Sequence, residues 1–422
     1  MFKRIAGALS ASFLLCSASA QQVGLNDFNL KLYGFVRTDY YVDTYKGNDV
    51  AHENFYLVPW YTGQDANGED LNEQTSANLT ALASRLGAKI QGPELLGAQT
   101  AAVLEFDFGG ITKTEPTLFR IRHAYVAFSW DQSKLTVGQT WHPFFGGGVF
   151  PAVGAFNTGA PFQAFNRSPL VRYDYKLGKL TVGAAAIYEN QYASKSLDSG
   201  SYSTANQAKR NGVLPELTLT AEYKANGLTL GAGAEWKRIK PRMLTEGSLG
   251  TYKADAYLNS HAVMGYVKYQ HEKLSVTAKT FYGQNMTHLC ILGGYAVATK
   301  NESTGAETYT NFNTSSSLLN VVYGKKWQVG MFAAYLKNLG TSDAVYDNNG
   351  AAITAGLLPA IQEAARASVH VALNVDKLRF VAECEITTAD YGVDGLDFAD
   401  GTYSDTHRAT NQRVSLSMVY AF

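Results

Sequence analysis

Six times this chain runs an aromatic or apolar strand into a short polar turn and returns through Leu-x-Val or a close variant. The instances are FSWDQSKLTV, YDYKLGKLTV, AEYKANGLTL, VKYQHEKLSV, VVYGKKWQV and LNVDKLRFV. Each reads as a strand, a tight turn and a returning strand. An aromatic stands just before the turn at Trp130, Tyr175, Tyr223, Tyr269 and Tyr323, and a second set follows at Trp141, Tyr188, Trp236, Tyr282 and Tyr335. From Leu180 to Tyr188, Leu228 to Trp236, Leu274 to Tyr282 and Trp327 to Tyr335 the interval is even, so both ends share one face. Eight residues cover about 26 Å of strand, or about 20 Å of height once tilted, close to the apolar band of an outer-membrane barrel. Two sets of aromatics bracketing such a band have the form of interfacial girdles.

The connections alternate. Short turns are followed by long polar segments at residues 43–80, 191–213, 286–314, 339–362 and 391–407. In transmembrane barrels short turns mark the periplasmic side and long loops the outer side. With this rule the chain yields about sixteen strands, from NLKLYGFVRTDYY to the terminal RVSLSMVYAF. An even count sets the first and last strands side by side and removes the open edge that a bilayer does not tolerate. The expected fold is therefore all-β, a transmembrane antiparallel up-and-down barrel. One segment is discordant, because LLPAIQEAARA (357–367) suggests a helical turn before the fourteenth strand.

The first twenty residues, MFKRIAGALSASFLLCSASA, have a basic start, a short apolar middle and Ala18 and Ala20 before Gln21, the pattern of a secretory signal peptide. The expected division is thus 1–20 signal peptide and 21–422 barrel. No later segment approaches the roughly 18 apolar residues of a membrane helix, so insertion must use strands. Lys and Arg total 36, as do Asp and Glu, and this zero balance gives no reason to expect a nucleic-acid partner. After cleavage Cys290 and Cys384 remain, in a loop-like stretch and on the outward phase of a strand, which is no disulfide framework.

Alternation also sorts the charges. Glu105 and Asp107 are out of phase with Leu104, Phe106 and Phe108, and Arg120 and Arg122 with Phe119 and Ile121. Arg37 with Asp39, Arg85 with Lys89, Arg172 with Asp174, and Arg379 with Glu383 and Glu385 behave likewise. A lipid-facing Arg or Lys costs about 2–4 kcal/mol near the midplane, so these side chains are expected in a polar, watery lumen. Arg37, Arg85, Arg120, Arg122 and Arg172 all belong to the first six strands. They form either an anion-favouring ladder or a set neutralised by Glu105, Asp107 and Asp174. His142 and His123 lie near the same region, but no pair of histidines has metal-ligand spacing, and no enzyme, cofactor or metal is implied.

Sixteen strands, a signal peptide and a terminal Phe resemble the Gram-negative general porins, whose trimeric barrels carry a long third loop folded into the lumen. The most specific local match is VGQTWHPFFGGGVFPAVGAFNTGAPFQAFN, residues 137–166, whose PFFGG is similar to the Pro-acidic-Phe-Gly-Gly segment of porin third loops. Phe144 replaces the acidic residue, and residues 143–166 carry no charged side chain. The resemblance implies a constriction loop at 142–168, with Phe144, Phe145, Phe150 and Phe156 beside the arginines. It also implies a homotrimer in the bacterial outer membrane, in contact with its lipids, that passes small hydrophilic solutes and ions by passive diffusion. The alternating terminus, ending at Tyr420 and Phe422, resembles the signal read by the barrel-assembly machinery. A solute-selective channel for sugars or small anions, using Trp141 and the loop aromatics as stacking faces, and a surface adhesin barrel remain as alternatives. A plugged receptor is not expected, since the first strand follows closely on the signal.

Overall fold

The computed structural model describes residues 28–49, 53–110, 118–198, 206–392 and 395–422, so the signal segment 1–20 lies outside the described residues. Sixteen antiparallel strands close into one barrel: β1 Asn29–Asp43, β2 (Ser76–Thr80 and Arg85–Leu95), β3 Ala98–Asp107, β4 Arg120–Ser129, β5 Ser133–Trp141, β6 Arg167–Leu177, β7 Leu180–Ile187 and β8 Glu216–Ala225, then β9 Leu228–Ile239, β10 Leu258–His271, β11 Leu274–Gln284, β12 Glu307–Gly324, β13 Trp327–Thr341, β14 Ile361–Val375, β15 Leu378–Gly392 and β16 Thr406–Ala421. Every strand pairs with its sequence neighbours, and β16 returns to β1 with Phe35 opposite Ala421 and Asp43 opposite Arg413. No backbone edge is left for lipid to meet.

Local chemistry sets the turns. Asn226 and Gly227 both adopt positive φ between β8 and β9, as do Leu96 and Gly97 between β2 and β3. Such two-residue turns match the right-handed twist of the strands they join. At the seam, Gly34 and Phe422 exchange backbone hydrogen bonds of 3.2 and 3.1 Å. A Cβ on Gly34 would stand 2.3 Å from the Arg85 carbonyl and 2.9 Å from the Phe422 ring, which requires glycine there.

The outer wall follows the period-two reading. Val414, Leu416, Met418, Tyr420 and Phe422 are all exposed on the lipid side of β16, while Arg413 and Ser417 face inward and are buried. Tyr175, Tyr188, Tyr223, Tyr269, Tyr282, Tyr323 and Tyr335 are likewise exposed, as girdle residues should be. Trp141 departs from that set. It stacks on Phe145 with ring centroids 3.7 Å apart and packs inside the barrel, because the chain turns into the lumen at the next residue.

Two further expectations are corrected. Residues 361–367 are strand, with Ala364 and Arg366 buried on the inner face. Pairing to both β13 and β15 outweighs the helix propensity of the Ala-rich stretch. The interior is also not polar throughout. The main hydrophobic cluster lies within the barrel and joins Phe55, Leu57 and Val58 of the first loop to the third-loop aromatics, to Leu289 and Ile291 of the sixth loop, and to inward-facing Met264, Phe281, Leu318 and Phe332. Long loops fold inward, and the wall they cover must be apolar where they bury their rings.

Candidate functional site

The third loop, 142–166, leaves β5 and re-joins the barrel at Arg167, which with Ser168 already belongs to β6. Its root is closed by the His142 N–H donating to the Asn166 carbonyl at 3.0 Å. His142 caps a 3-10 turn, Pro143–Phe145, by accepting the Phe144 N–H at Nδ1 (3.1 Å). Gly146 then takes a left-handed conformation (φ 81°), and a Cβ there would lie 3.0 Å from Lys279 Nζ. This glycine lets the chain turn tightly while an opposing ammonium approaches its backbone.

With no charged side chain of its own, the loop is held by wall side chains reaching for its backbone. Lys279 on β11 donates to the Phe144 and Phe145 carbonyls at 2.8 and 2.9 Å. Asn320 on β12 accepts from Ala152 N at 2.9 Å, Glu383 on β15 accepts from Ala155 N at 2.6 Å, and Arg37 on β1 donates to the Gly154 carbonyl at 2.7 Å. Arg366 on β14 donates to the Ala160 carbonyl at 2.8 Å, and Ser316 to that of Phe162 at 3.1 Å. The anchors come from strands on both sides of the seam, so the loop spans the lumen.

The aromatics divide in two. Phe144, Phe145 and Phe156 are buried in the interior cluster, while Phe150 remains exposed and stacks on Phe145 at 5.2 Å. Burial of the first three fixes the loop, and Phe150 is the ring offered to solvent.

The arginines divide in the same way. Arg120 donates to both oxygens of Asp107 at 2.8 and 2.6 Å, and Arg122 bridges Glu105 at 2.6 Å and Asp107 at 2.8 Å. Arg85 adds a 3.4 Å contact to Glu105, and Tyr33 donates to the same carboxylate at 3.0 Å. Arg120, Arg122, Glu105 and Asp107 are thus closed in one buried network. Arg37, Arg85 and Arg172 keep 16, 22 and 28% of their side-chain exposure. Arg37 is paired with Asp39 at 2.7 Å, and Arg172 with Asp174 at 2.8 Å. All five arginines thus stand beside carboxylates, Arg120 and Arg122 buried and Arg37, Arg85 and Arg172 partly exposed.

Other inward cations have neutral partners. Lys268 on β10 donates to the Gly148 carbonyl at 3.0 Å, and Arg379 on β15 donates to Gln328 Oε1 at 2.7 Å and Asn374 Oδ1 at 3.0 Å. Neither these roles nor those of Lys279, Asn320 and Arg366 follow from linear spacing. Alternation places each side chain inward, but the partner is a loop carbonyl more than a hundred residues away for Lys268, Lys279 and Arg366.

The two histidines also find separate settings. His123 Nδ1 meets Thr140 Oγ1 at 3.0 Å and its ring edge faces Glu105 at 3.8 Å. His142 is gathered with Glu216, Glu235 and His288 into a buried group. Cys290, beside His288 in the sixth loop, is a free thiol that burial pushes up, and Cys384 is free on the outer wall.

No curated protein sequence matches the chain. Among solved structures it is similar to the outer membrane channel DcaP of Acinetobacter baumannii (TM-score 0.67, 18% identity, 95% of this chain and 99% of that one). It is also similar to OmpT of Vibrio cholerae (TM-score 0.55, 12% identity, 95% and 99%) and to an anion-selective porin from Comamonas acidovorans (TM-score 0.53, 14% identity, 94% and 100%). At such identities these likenesses speak for the barrel fold alone. Membership comes from the sequence itself, since the Gram-negative porin model matches residues 7–422. The closed barrel, the lumen-spanning loop and that match together place this chain in the Gram-negative porin family, as an outer-membrane channel for passive diffusion of small hydrophilic solutes.

Proposed function

We propose that this porin is a narrow channel with a preference for small anions. The carrying observation is that the third loop has no acidic side chain while Lys268 donates to its Gly148 carbonyl, and Arg379 on the inner wall likewise has neutral acceptors. Arg37, Arg85 and Arg172 are partly exposed but paired with carboxylates, and Arg120 and Arg122 are buried structural members, so the bias rests on Lys268 and Arg379. A unit charge about 7 Å from a permeating ion in water is worth about 0.6 kcal/mol, so two such cations bias anions over cations several-fold. One structural relative is described as anion-selective, in keeping with this reading. Phe150 offers a stacking face, so aromatic or sugar-like carboxylates are the solutes favoured over simple halides.

The chain works as a homotrimer, as the trimeric form of the Vibrio cholerae OmpT similar to it suggests. It sits among outer-membrane lipids after the assembly machinery reads Tyr420 and Phe422. The test is single-channel recording in planar bilayers with a salt gradient. Wild type gives a reversal potential of anion-selective sign, and Lys268→Gln with Arg379→Gln moves it towards zero. A cation-selective wild type, or a double variant with unchanged reversal potential, would overturn the reading.

A further inference from the structure

We propose that His288, Glu216 and Glu235 form a binding site for a first-row divalent metal ion, zinc by its donor set, with His142 orienting Glu216 from behind. The residues come from the sixth loop, β8, β9 and the root of the third loop, and their donor atoms lie within 4.8 Å of one another. All four side chains are at most 1% exposed.

What points to a cation is the set of atoms left without partners. Both oxygens of Glu235, Oε2 of Glu216 and Nε2 of His288 have no hydrogen-bond partner among the described residues. His288 Nε2 stands 3.1 Å from Glu235 Oε1 and 3.4 Å from Glu216 Oε2, yet without the alignment of a hydrogen bond. Bonds of about 2.1 Å from imidazole nitrogen and carboxylate oxygen to a tetrahedral ion put neighbouring donors about 3.4 Å apart. The observed spacings fit that edge.

Two carboxylates buried side by side repel unless something positive lies between them. The adjacent ammonium does not fill this role. Lys237 Nζ donates to the Asn285 carbonyl at 2.6 Å and Ser194 Oγ at 3.0 Å, and its carboxylate contact is Glu189 at 3.8 Å. A dication balances the charge of Glu216 and Glu235, and an imidazole nitrogen among the donors suits zinc better than calcium or magnesium.

The second nitrogens assign the roles. His142 Nδ1 accepts the Phe144 N–H, so its Nε2 carries the proton and donates it to Glu216 Oε1. That bond turns Glu216 Oε2 into the cluster, as an outer partner does for a ligating carboxylate. Lys237 Nζ donates to His288 Nδ1 at 2.6 Å, which leaves the ring proton on Nε2, so binding of the ion there releases one proton from the Lys237–His288 pair. The metal thereby ties the sixth loop to β8 and β9 and, through His142, fixes the point where the constriction loop leaves the wall. The inference stands apart from the ion preference proposed above.

The experiment uses the full mature protein, folded in detergent and stripped with a chelator. Zinc is titrated in competition with a chromophoric chelator, and cobalt uptake is followed by its visible absorption. One zinc per chain is expected, with a cobalt spectrum of low coordination number. Glu216→Gln with Glu235→Gln should abolish both, while His142→Asn should keep one ion per chain at about 10- to 100-fold lower affinity. Folding of each variant is checked by the shifted migration of unheated barrel on a denaturing gel. Wild-type protein that takes up well under one zinc per chain overturns the site, as does a folded double-Gln variant that still binds like wild type. Equal loss in His142→Asn and the double variant overturns the assigned roles.

Discussion

Asp107→Ala should be among the most damaging single changes in the wall. The carboxylate is 0% exposed and receives three charged hydrogen bonds, from Arg120 Nε and Nη2 and Arg122 Nη1, at 2.8, 2.6 and 2.8 Å. Each such bond contributes about 1.5–3 kcal/mol when a charged group is involved. Their loss is partly offset because Arg122 keeps Glu105, but Arg120 is left buried without a carboxylate, and breaking a buried pair costs about 3–5 kcal/mol. The same truncation at Asp174, whose partner Arg172 has 28% side-chain exposure, should cost under about 1 kcal/mol because water replaces the partner. The assay is urea-dependent folding into lipid vesicles, followed by tryptophan fluorescence and gel migration. Equal midpoints for Asp107→Ala and Asp174→Ala would refute the claim that burial separates the two kinds of lumen ion pair.

Lys279→Met removes two bonds to the loop backbone and should raise open-channel current noise and speed protease cleavage within 143–166, while the barrel stays folded. An equally quiet, resistant variant would mean the remaining anchors suffice. Leu219→Arg, on a lipid-facing side chain 65% exposed, should cost about 2–4 kcal/mol in vesicle folding. Deleting Phe422 removes the backbone pair to Gly34 together with the terminal ring, and should lower the amount of folded protein in the outer membrane. Phe422→Ala retains the backbone pair, so if the ring is part of the assembly signal it should show most of the same loss in cells and little loss in vesicle folding.

Much of this was legible before any coordinates. A side-chain period of two leaves no choice of face once one side must meet lipid, which is why Leu104, Phe119 and Ile121 point out while Glu105, Asp107, Arg120 and Arg122 point in. Closure of β16 on β1 follows from the ban on open edges. The helical look of 357–367 misled because propensity is a local term and a ladder bonded on both sides is a larger one. Trp141 leaves the girdle set and joins the loop aromatics for a related reason: alternation stops predicting a face where the chain leaves the wall.

What the sequence by itself determined is the barrel, its membrane-facing band and the side on which wall residues lie away from bulges and loop roots, because these obey a repeat readable along the chain. Tertiary structure alone decided which arginines are locked and which stay wet, which loops fill the lumen, and that positions 142, 216, 235 and 288 meet at one point. Contacts across a closed barrel join residues whose separation in the chain carries no period, and only the folding of loops into the interior brings their side chains within bonding distance.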